Sequence, residues 1–138
     1  MPAPNVFIDT NILLYLLSAD TAKADCAETI VRSGGLISVQ VLNEMAHVTR
    51  RKFAMPWADV NEVLAMIRSL CTTAPLTIET HDRGRLVAER YGLGIYDAMI
   101  LAAALIGGCE ILYSEDMQDG QAIDHQLRIC NPFNIQNK

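Results

Sequence analysis

Short apolar runs, each ending in a polar or acidic residue, set the rhythm of this chain. Val6-Phe7-Ile8 runs straight into Asp9, so residues 5–9 predict a buried strand that ends in a carboxylate. A second apolar run, 12–17, follows at once, with Thr10 or Asn11 placed to cap a helix there. Asp20 is positioned to cap a helix over 21–32, and Gly34-Gly35 stops it. Residues 36–38 predict a second strand. Ser38 then caps a long helix to about Phe53, with Val41, Leu42, Met45 and Val48 forming its apolar stripe and Glu44 at the border of that stripe. Pro56 suits the first position of a helix over 57–71, whose stripe is Val60, Val63, Leu64, Ile67 and Leu70. A third strand is expected over 76–78, followed by a helix capped by Thr80 that runs to Tyr91 and ends at Gly92. Gly94-Ile95-Tyr96-Asp97 opens the most apolar helix, 98–106, closed by Gly107-Gly108. Residues 110–114 predict a fourth strand, 115–120 a polar loop, and 127–130 a short fifth strand before Asn131-Pro132.

Strands alternate with helices throughout, and the strands are apolar on both faces. That pattern predicts a single α/β domain over 1–138, with a short, parallel five-stranded sheet flanked by helices on both sides. There is no linker, repeat or low-complexity segment to divide it.

Composition narrows the class. Apolar residues make up 51% of the 138-residue chain, enough for one substantial core and too many for a disordered chain. The longest uninterrupted apolar run, 98–106, falls far short of the roughly 18 residues a membrane span needs, so no membrane association is expected. The first residues lack a basic stretch and an Ala-x-Ala cleavage site, which predicts no secretory leader and a cytoplasmic protein. Cys26, Cys71, Cys109 and Cys130 are widely spaced without a Cys-x-x-Cys pair. They read as core thiols in a reducing compartment, not as a disulfide framework or a zinc site. The formal net charge is −5, which argues against broad, sequence-independent nucleic-acid binding. A nuclease can still carry such a charge if the acids are concentrated at a metal site.

Candidate chemistry starts at Asp9. A carboxylate between two buried runs needs a hydrogen-bond network, a cation or a metal to offset its desolvation. In open α/β sheets, ligands bind beyond the carboxyl ends of the strands. Asp9 ends the first strand, Glu44 lies in the second turn of the helix after the second, and Asp116 lies two residues past the fourth. Right-handed crossovers bring these three to one sheet edge. Asp97, near the start of its helix, is not forced there by topology. Four carboxylates within reach of one another repel, by about 4 kcal/mol per pair at ~4 Å and an effective dielectric of about 20. Such a cluster raises its pKa values or recruits a cation. Oxygen-only donors favour Mg²⁺ or Mn²⁺, and a bound ion of that kind activates water and stabilises a phosphoryl transition state. Each acid also has a plain structural role open to it: turn or cap at Asp9, solvated helix acid at Glu44, helix-dipole partner at Asp97, turn former at Asp116.

With these residues in order, the chain resembles a PIN domain, and more narrowly a VapC-type toxin ribonuclease of a type II toxin–antitoxin system. The matching stretches are Phe7-Ile8-Asp9-Thr10-Asn11, Ser38 to Glu44, Tyr96-Asp97-Ala98-Met99-Ile100 and Tyr113-Ser114-Glu115-Asp116-Met117. The tail from Leu127 to Phe133 is also similar. The resemblance implies Mg²⁺-dependent (or Mn²⁺-dependent) RNA cleavage, by an in-line metal-activated water that leaves 5′-phosphate and 3′-hydroxyl ends. It maps the catalytic acids onto Asp9, Glu44, Asp97 and Asp116. Asp9, Asp97 and Asp116 become the metal ligands, and Glu44 positions a water or second metal. Thr10, Asn11 and Ser114 are supporting residues, with Asp119 as an outer-shell acid. The partners implied are an RNA substrate, a second copy in a homodimer, and a cognate antitoxin laying a basic segment across the acidic groove.

Arg50, Arg51 and Lys52 close the Glu44 helix, where they either offset its dipole or contact RNA phosphate. His47, His81 and His125 share no ligand spacing, although His47 lies one turn beyond Glu44. Two other functions stay open from the residues alone. One is a non-catalytic binding module on the same fold. The other is a haloacid-dehalogenase-like phosphatase, which needs Asp-x-Asp where this chain has Asn11, and a placed lysine where it has only Lys23, Lys52 and Lys138.

Overall fold

The computed structural model describes residues 5–136. Its elements follow the chain as β1 (Val6–Ile8), α1 (Thr10–Leu14) with a further 3₁₀ turn (Tyr15–Leu17), α2 (Thr21–Arg32), β2 (Leu36–Ser38), α3 (Val39–Arg51) and α4 (Trp57–Leu70). Then come β3 (Thr72–Ala74), α5 (Ile78–Tyr91), α6 (Ile95–Ile106), β4 (Ile111–Tyr113), β5 (Ala122–Ile123), β6 (Leu127–Cys130) and α7 (Pro132–Gln136). The sheet order is β3-β2-β1-β4-β6-β5. Every pair is parallel except β5 with β6. This is the expected α/β domain, with one strand more than expected.

The chain moves outward from β1 to β2 and β3, then crosses to the other side of β1 to lay down β4. A crevice opens between β1 and β4, where the direction of winding reverses. Ile8 pairs with Tyr113 there, so Asp9 and Ser114 leave the sheet side by side. Phe7, Ile8, Ile37, Leu112 and Ile129 fill the sheet's interior, and α6 contributes an almost wholly buried cylinder from Ala98 to Leu105. Helix α5 packs closely on α6 at Gly84, where a Cβ would run into the side chain of Met99. That contact sets the position of the helix that carries Asp97 in its first turn. Of the stripe predicted along α4, Val60 and Ile67 are fully buried and Leu70 is exposed.

Three expectations need correcting. The third strand lies at 72–74, not 76–78. Thr72 is the residue that reaches β2, donating its N–H to the Gly35 carbonyl at 2.9 Å, and the ladder pairs Leu36 with Thr72 and Ser38 with Ala74. Pro75 then has no N–H to continue it. The run that resembled a strand instead opens α5. Thr77, not Thr80, is its N-cap, in a capping box whose other member is Thr80, and Ile78 is left 77% exposed. The sheet has six strands because Ala122–Ile123 folds back on β6. The turn between them puts both Asp124 and His125 at positive φ and is closed by Gln126 N–H to the Ile123 carbonyl at 3.1 Å. It lacks the Asn-Gly or Asp-Gly pair that marks such turns in a sequence.

Candidate functional site

The end of β1 supplies the centre of the site. Asp9 is the N-cap of α1 and is only 5% exposed. One carboxylate oxygen accepts the Thr10 N–H at 2.7 Å; the other accepts from Ser114 Oγ at 2.9 Å and Asn11 Nδ2 at 3.2 Å. Only Asp9 separates β1 from α1, so the helix's first amide points at the acid that precedes it. Asn11 also ties the β4 side in: its Nδ2 reaches Ser114 Oγ at 3.3 Å and its Oδ1 accepts the Glu115 N–H at 3.0 Å. Ser114 Oγ in turn accepts the Met117 N–H at 3.3 Å, which curls the chain around the position of Asp116.

Helix α3 supplies the second wall. Ser38 caps it through the Val41 N–H, and its second turn carries Glu44. One Glu44 oxygen accepts from Thr10 Oγ1 at 2.7 Å and the other from Gln40 Nε2 at 3.0 Å. Asp97, in the first turn of α6, and Asp116, in the loop after β4, complete the ring. Asp9, Glu44, Asp97 and Asp116 line one cleft of about 550 Å3, together with Thr10 and Asn11.

The electrostatics of the cleft are unbalanced. Burial pushes the Asp9 carboxyl up to about 6; the hydrogen bonds from Ser114 and Thr10 pull it back, and the charges of Glu44 and Asp97 add to the rise. Asp97 is also raised, by burial and then by Glu44 and Asp116. These acids therefore feel one another's charge. No cation among the described residues is paired with Asp9 or Asp97. Among the described residues, no three His, Cys, Asp or Glu side chains are already gathered as a metal site. The donor set nevertheless suits a hard divalent ion. It is all oxygen, and Mg²⁺ keeps several of its waters and needs only one or two carboxylates, not a closed cage.

The structure brings Asp9, Thr10, Asn11, Glu44, Asp97 and Asp116 to the cleft and puts Ser114 directly behind Asp9. Asp119 stands apart. It accepts the Asn131 N–H at 2.9 Å and Asn134 Nδ2 at 3.2 Å, fastening its loop to the start of α7. Arg50 is also engaged elsewhere, donating to the Met55 carbonyl at 2.8 Å with its guanidinium 5.0 Å from the centre of the Trp57 ring. Arg51 is exposed at the end of α3 and Lys52 follows as the C-cap. Sequence reasoning passed over Gln40, Asn43 and Tyr96, and set His47 aside; all four line the cleft. The signal was available on α3, since 40, 44 and 47 recur at one helical turn from one another and share a face.

A network that the sequence did not announce braces the loop carrying Asp116. Lys23 Nζ lies 2.7 Å from Glu115 Oε2 and 3.2 Å from Tyr15 Oη, and Tyr15 Oη donates to Glu115 Oε1 at 2.6 Å. The Tyr15 and Phe133 rings meet edge to face at 4.9 Å, with the Lys23 ammonium over both.

A family model described as PIN domain matches residues 6–119, a span that contains all four acids. No match was found among curated protein sequences. Solved structures are also similar, among them three from toxin–antitoxin systems. A toxin–antitoxin complex from Klebsiella pneumoniae matches at 22% identity and a TM-score of 0.69, over 92% of this chain and 97% of that one. VapC20 from Mycobacterium tuberculosis, a sarcin–ricin loop cleaving toxin, matches at 20% identity and 0.66, over 80% and 89%. VapBC2 from Rickettsia felis, bound to a DNA fragment from their promoter, matches at 17% and 0.60, over 80% and 87%. At these identities the likeness is one of fold.

Proposed function

The chain belongs to the PIN domain family, and from that premise we propose that it is a Mg²⁺- or Mn²⁺-dependent endoribonuclease, the toxin of a toxin–antitoxin pair. The observation that carries the reading is the cleft itself. Four carboxylates from four separate parts of the chain share it, and two of them are pushed toward the protonated form by burial and by one another. An arrangement that destabilises the metal-free protein is explained by what it binds.

Asp9, Asp97 and Asp116 would hold the ion. Bound there, it would supply a water of lowered pKa and charge stabilisation for the phosphoryl group. The protein's own residues do the rest. Thr10 N–H, Asn11 and Ser114 hold the Asp9 carboxylate in one orientation. Thr10 Oγ1 and Gln40 hold both oxygens of Glu44, leaving the remaining lone pairs of that carboxylate to accept from and orient a water near the scissile phosphate. The Lys23–Glu115 pair fixes the loop that presents Asp116. Similar folds include a sarcin–ricin loop cleaving toxin and a toxin–antitoxin complex, which supports RNA as the substrate and an antitoxin as the partner of this chain. An acidic cleft suits a basic antitoxin segment. The proposal includes self-association as a homodimer, tested by light scattering of the purified chain.

The deciding experiment compares wild type with Asp97→Asn, both freed of co-purified partner and incubated with total cellular RNA plus Mg²⁺, Mn²⁺ or EDTA. Discrete cuts by wild type alone, lost in EDTA and carrying 5′-phosphates, are expected. Silence of wild type with both metals would sink the catalytic reading in favour of a binding module.

A further inference from the structure

A second depression of about 510 Å3 adjoins the cleft. Asn11, Leu14, Val48 and Asp116 line both, so the two form one continuous trough that passes the acids and runs on between the end of α3 and the loop after β4. Its floor is apolar, with Leu14 and Leu17. Lys52 and Phe53 stand on one wall and Glu115 on the other. Phe53 is 44% exposed, an aromatic face that the core does not use. Lys52 follows the last turn of α3 and, among the described residues, has no ion pair, whereas Lys23 is held by Glu115. The chain leaves the trough through Ala54, a non-glycine residue at φ +51°, where L-residues are disfavoured by roughly 1 kcal/mol or more. The turn is closed by Met55 N–H to the Thr49 carbonyl at 3.1 Å, so Phe53 is presented by a fixed bend.

We propose that this trough is the exit path of the substrate strand: single-stranded RNA leaving the acid cleft stacks a base on Phe53 and sets a backbone phosphate against Lys52. The inference rests on the nuclease reading above and adds where the strand goes. A stacking ring beside a single cation is the minimal platform for an unpaired strand. The opposite wall carries carboxylate oxygens that can accept from a 2′-hydroxyl or a base amino group. An extended strand crossing the cleft must leave along a continuous depression, and this one is continuous with it. In a chain of net charge −5, strand binding has to come from such a local site.

The test uses the full chain with Asp97→Asn to prevent cutting, and a single-stranded RNA spanning the cut site mapped with wild type. Phe53→Ala is expected to weaken binding about 10-fold or more, and Phe53→Trp to restore it. Lys52→Gln is expected to weaken binding at low salt and to lower the slope of log affinity against log salt by about 0.7, one phosphate's share on a single strand. Arg32→Gln, the same charge change on the ion pair with Glu28, should leave the slope alone. Melting temperatures within about 2 °C of the parent, small against the shift ~1 kcal/mol produces, would establish that the variants are folded. If the parent binds the RNA and the Phe53 and Lys52 variants bind it equally well, the exit path is wrong and the trough is left to a protein segment. If wild type yields no cut site, the nuclease reading fails and this inference goes with it.

Discussion

Asp9 and Asp124 are both sheltered aspartates that follow a β-strand, and they sit in opposite electrostatic surroundings. Asp124, whose side chain is only 16% exposed, is gripped by Arg90 Nη1 at 2.6 Å, Arg83 Nη2 at 3.2 Å and Tyr91 Oη at 3.1 Å. Burial raises its carboxyl, but the hydrogen bonds from Arg83, Tyr91 and Arg90 outweigh that, and the net shift is downward. Asp9 receives only neutral donors and faces Glu44 and Asp97, so burial wins and the shift is upward, to about 6. In one region Arg83 and Arg90 hold a hairpin through Asp124; in the other, no described cation pairs with Asp9. A protein selected for stability alone would have placed a basic group at Asp9, as it did at Asp124. This difference is the observation on which the proposed metal site in the β1–β4 crevice rests.

The sharpest way to break this contrast is to neutralise each region in turn. Asp97→Asn is expected to lower RNA cleavage by more than about 100-fold, the upper range seen when even an outer partner of a metal site is lost. The same change should raise the melting temperature of the metal-free protein, because it removes a like charge from the cleft. Asp124→Asn should do the reverse, leaving specific activity of the folded fraction intact while melting about 3–4 °C lower, the shift that about 1 kcal/mol produces in a domain of this size.

The two aspartates also differ in sign with pH. Asp9 rises from 3.8 to about 6 on folding, so the folded state holds its proton more tightly. Metal-free stability at this position is full below about pH 4 and falls as pH rises toward 6, by on the order of 2–3 kcal/mol. Asp124 is lowered, so its contribution is present above the unfolded value of 3.8 and is lost as pH falls through its folded value. Urea unfolding in EDTA between pH 3 and 8 should therefore show a wild-type-minus-Asp9→Asn stability difference that becomes more negative as pH rises, and a wild-type-minus-Asp124→Asn difference that falls as pH drops. A flat Asp9 difference would mean that the carboxylate is not desolvated. Lys23→Met is expected to cut cleavage about 10-fold with little change in melting, through loosening of the Asp116 loop; an unchanged rate would free that loop from any role. The smallest effect belongs to His125→Gly, which relieves a left-handed backbone at φ +59° and should stabilise by roughly 0.5–1 kcal/mol without touching the grip on Asp124.

The sequence was most legible where one residue decides the outcome locally. Ser38 and Asp20 each cap the helix that follows, and apolar periodicity placed α3 and α6; the first helix is a correction, since Asp9 caps it and the expected caps Thr10 and Asn11 lie inside it. It was least legible where pairing across the sheet decides. Nothing in Thr72-Thr73-Ala74 marks it as a strand, yet the register with β2 selects it over the more apolar Leu76 to Ile78. The hairpin of β5 and β6 depends on a grip from α5, 41 residues upstream in the case of Arg83, which no local turn rule contains. The acids followed the same division. Three were placed at the sheet edge by topology, while Asp97 depends on how α6 packs against α5. The bracing of Asp116 by Lys23, Tyr15 and Glu115 joins residues about a hundred positions apart, beyond any spacing argument.

Ser114 closes on Asp9 and Asn11 from 105 and 103 positions further along the chain. During synthesis, then, the ribosome releases the first acid early and the group that orients it very late. A nascent or truncated chain ending before β4 carries Asp9, Glu44 and Asp97 but cannot seat the first of them against Ser114 or present Asp116. Synthesis through β4 is thus a built-in time lock: the cleft is assembled only once Ser114 and Asp116 have emerged.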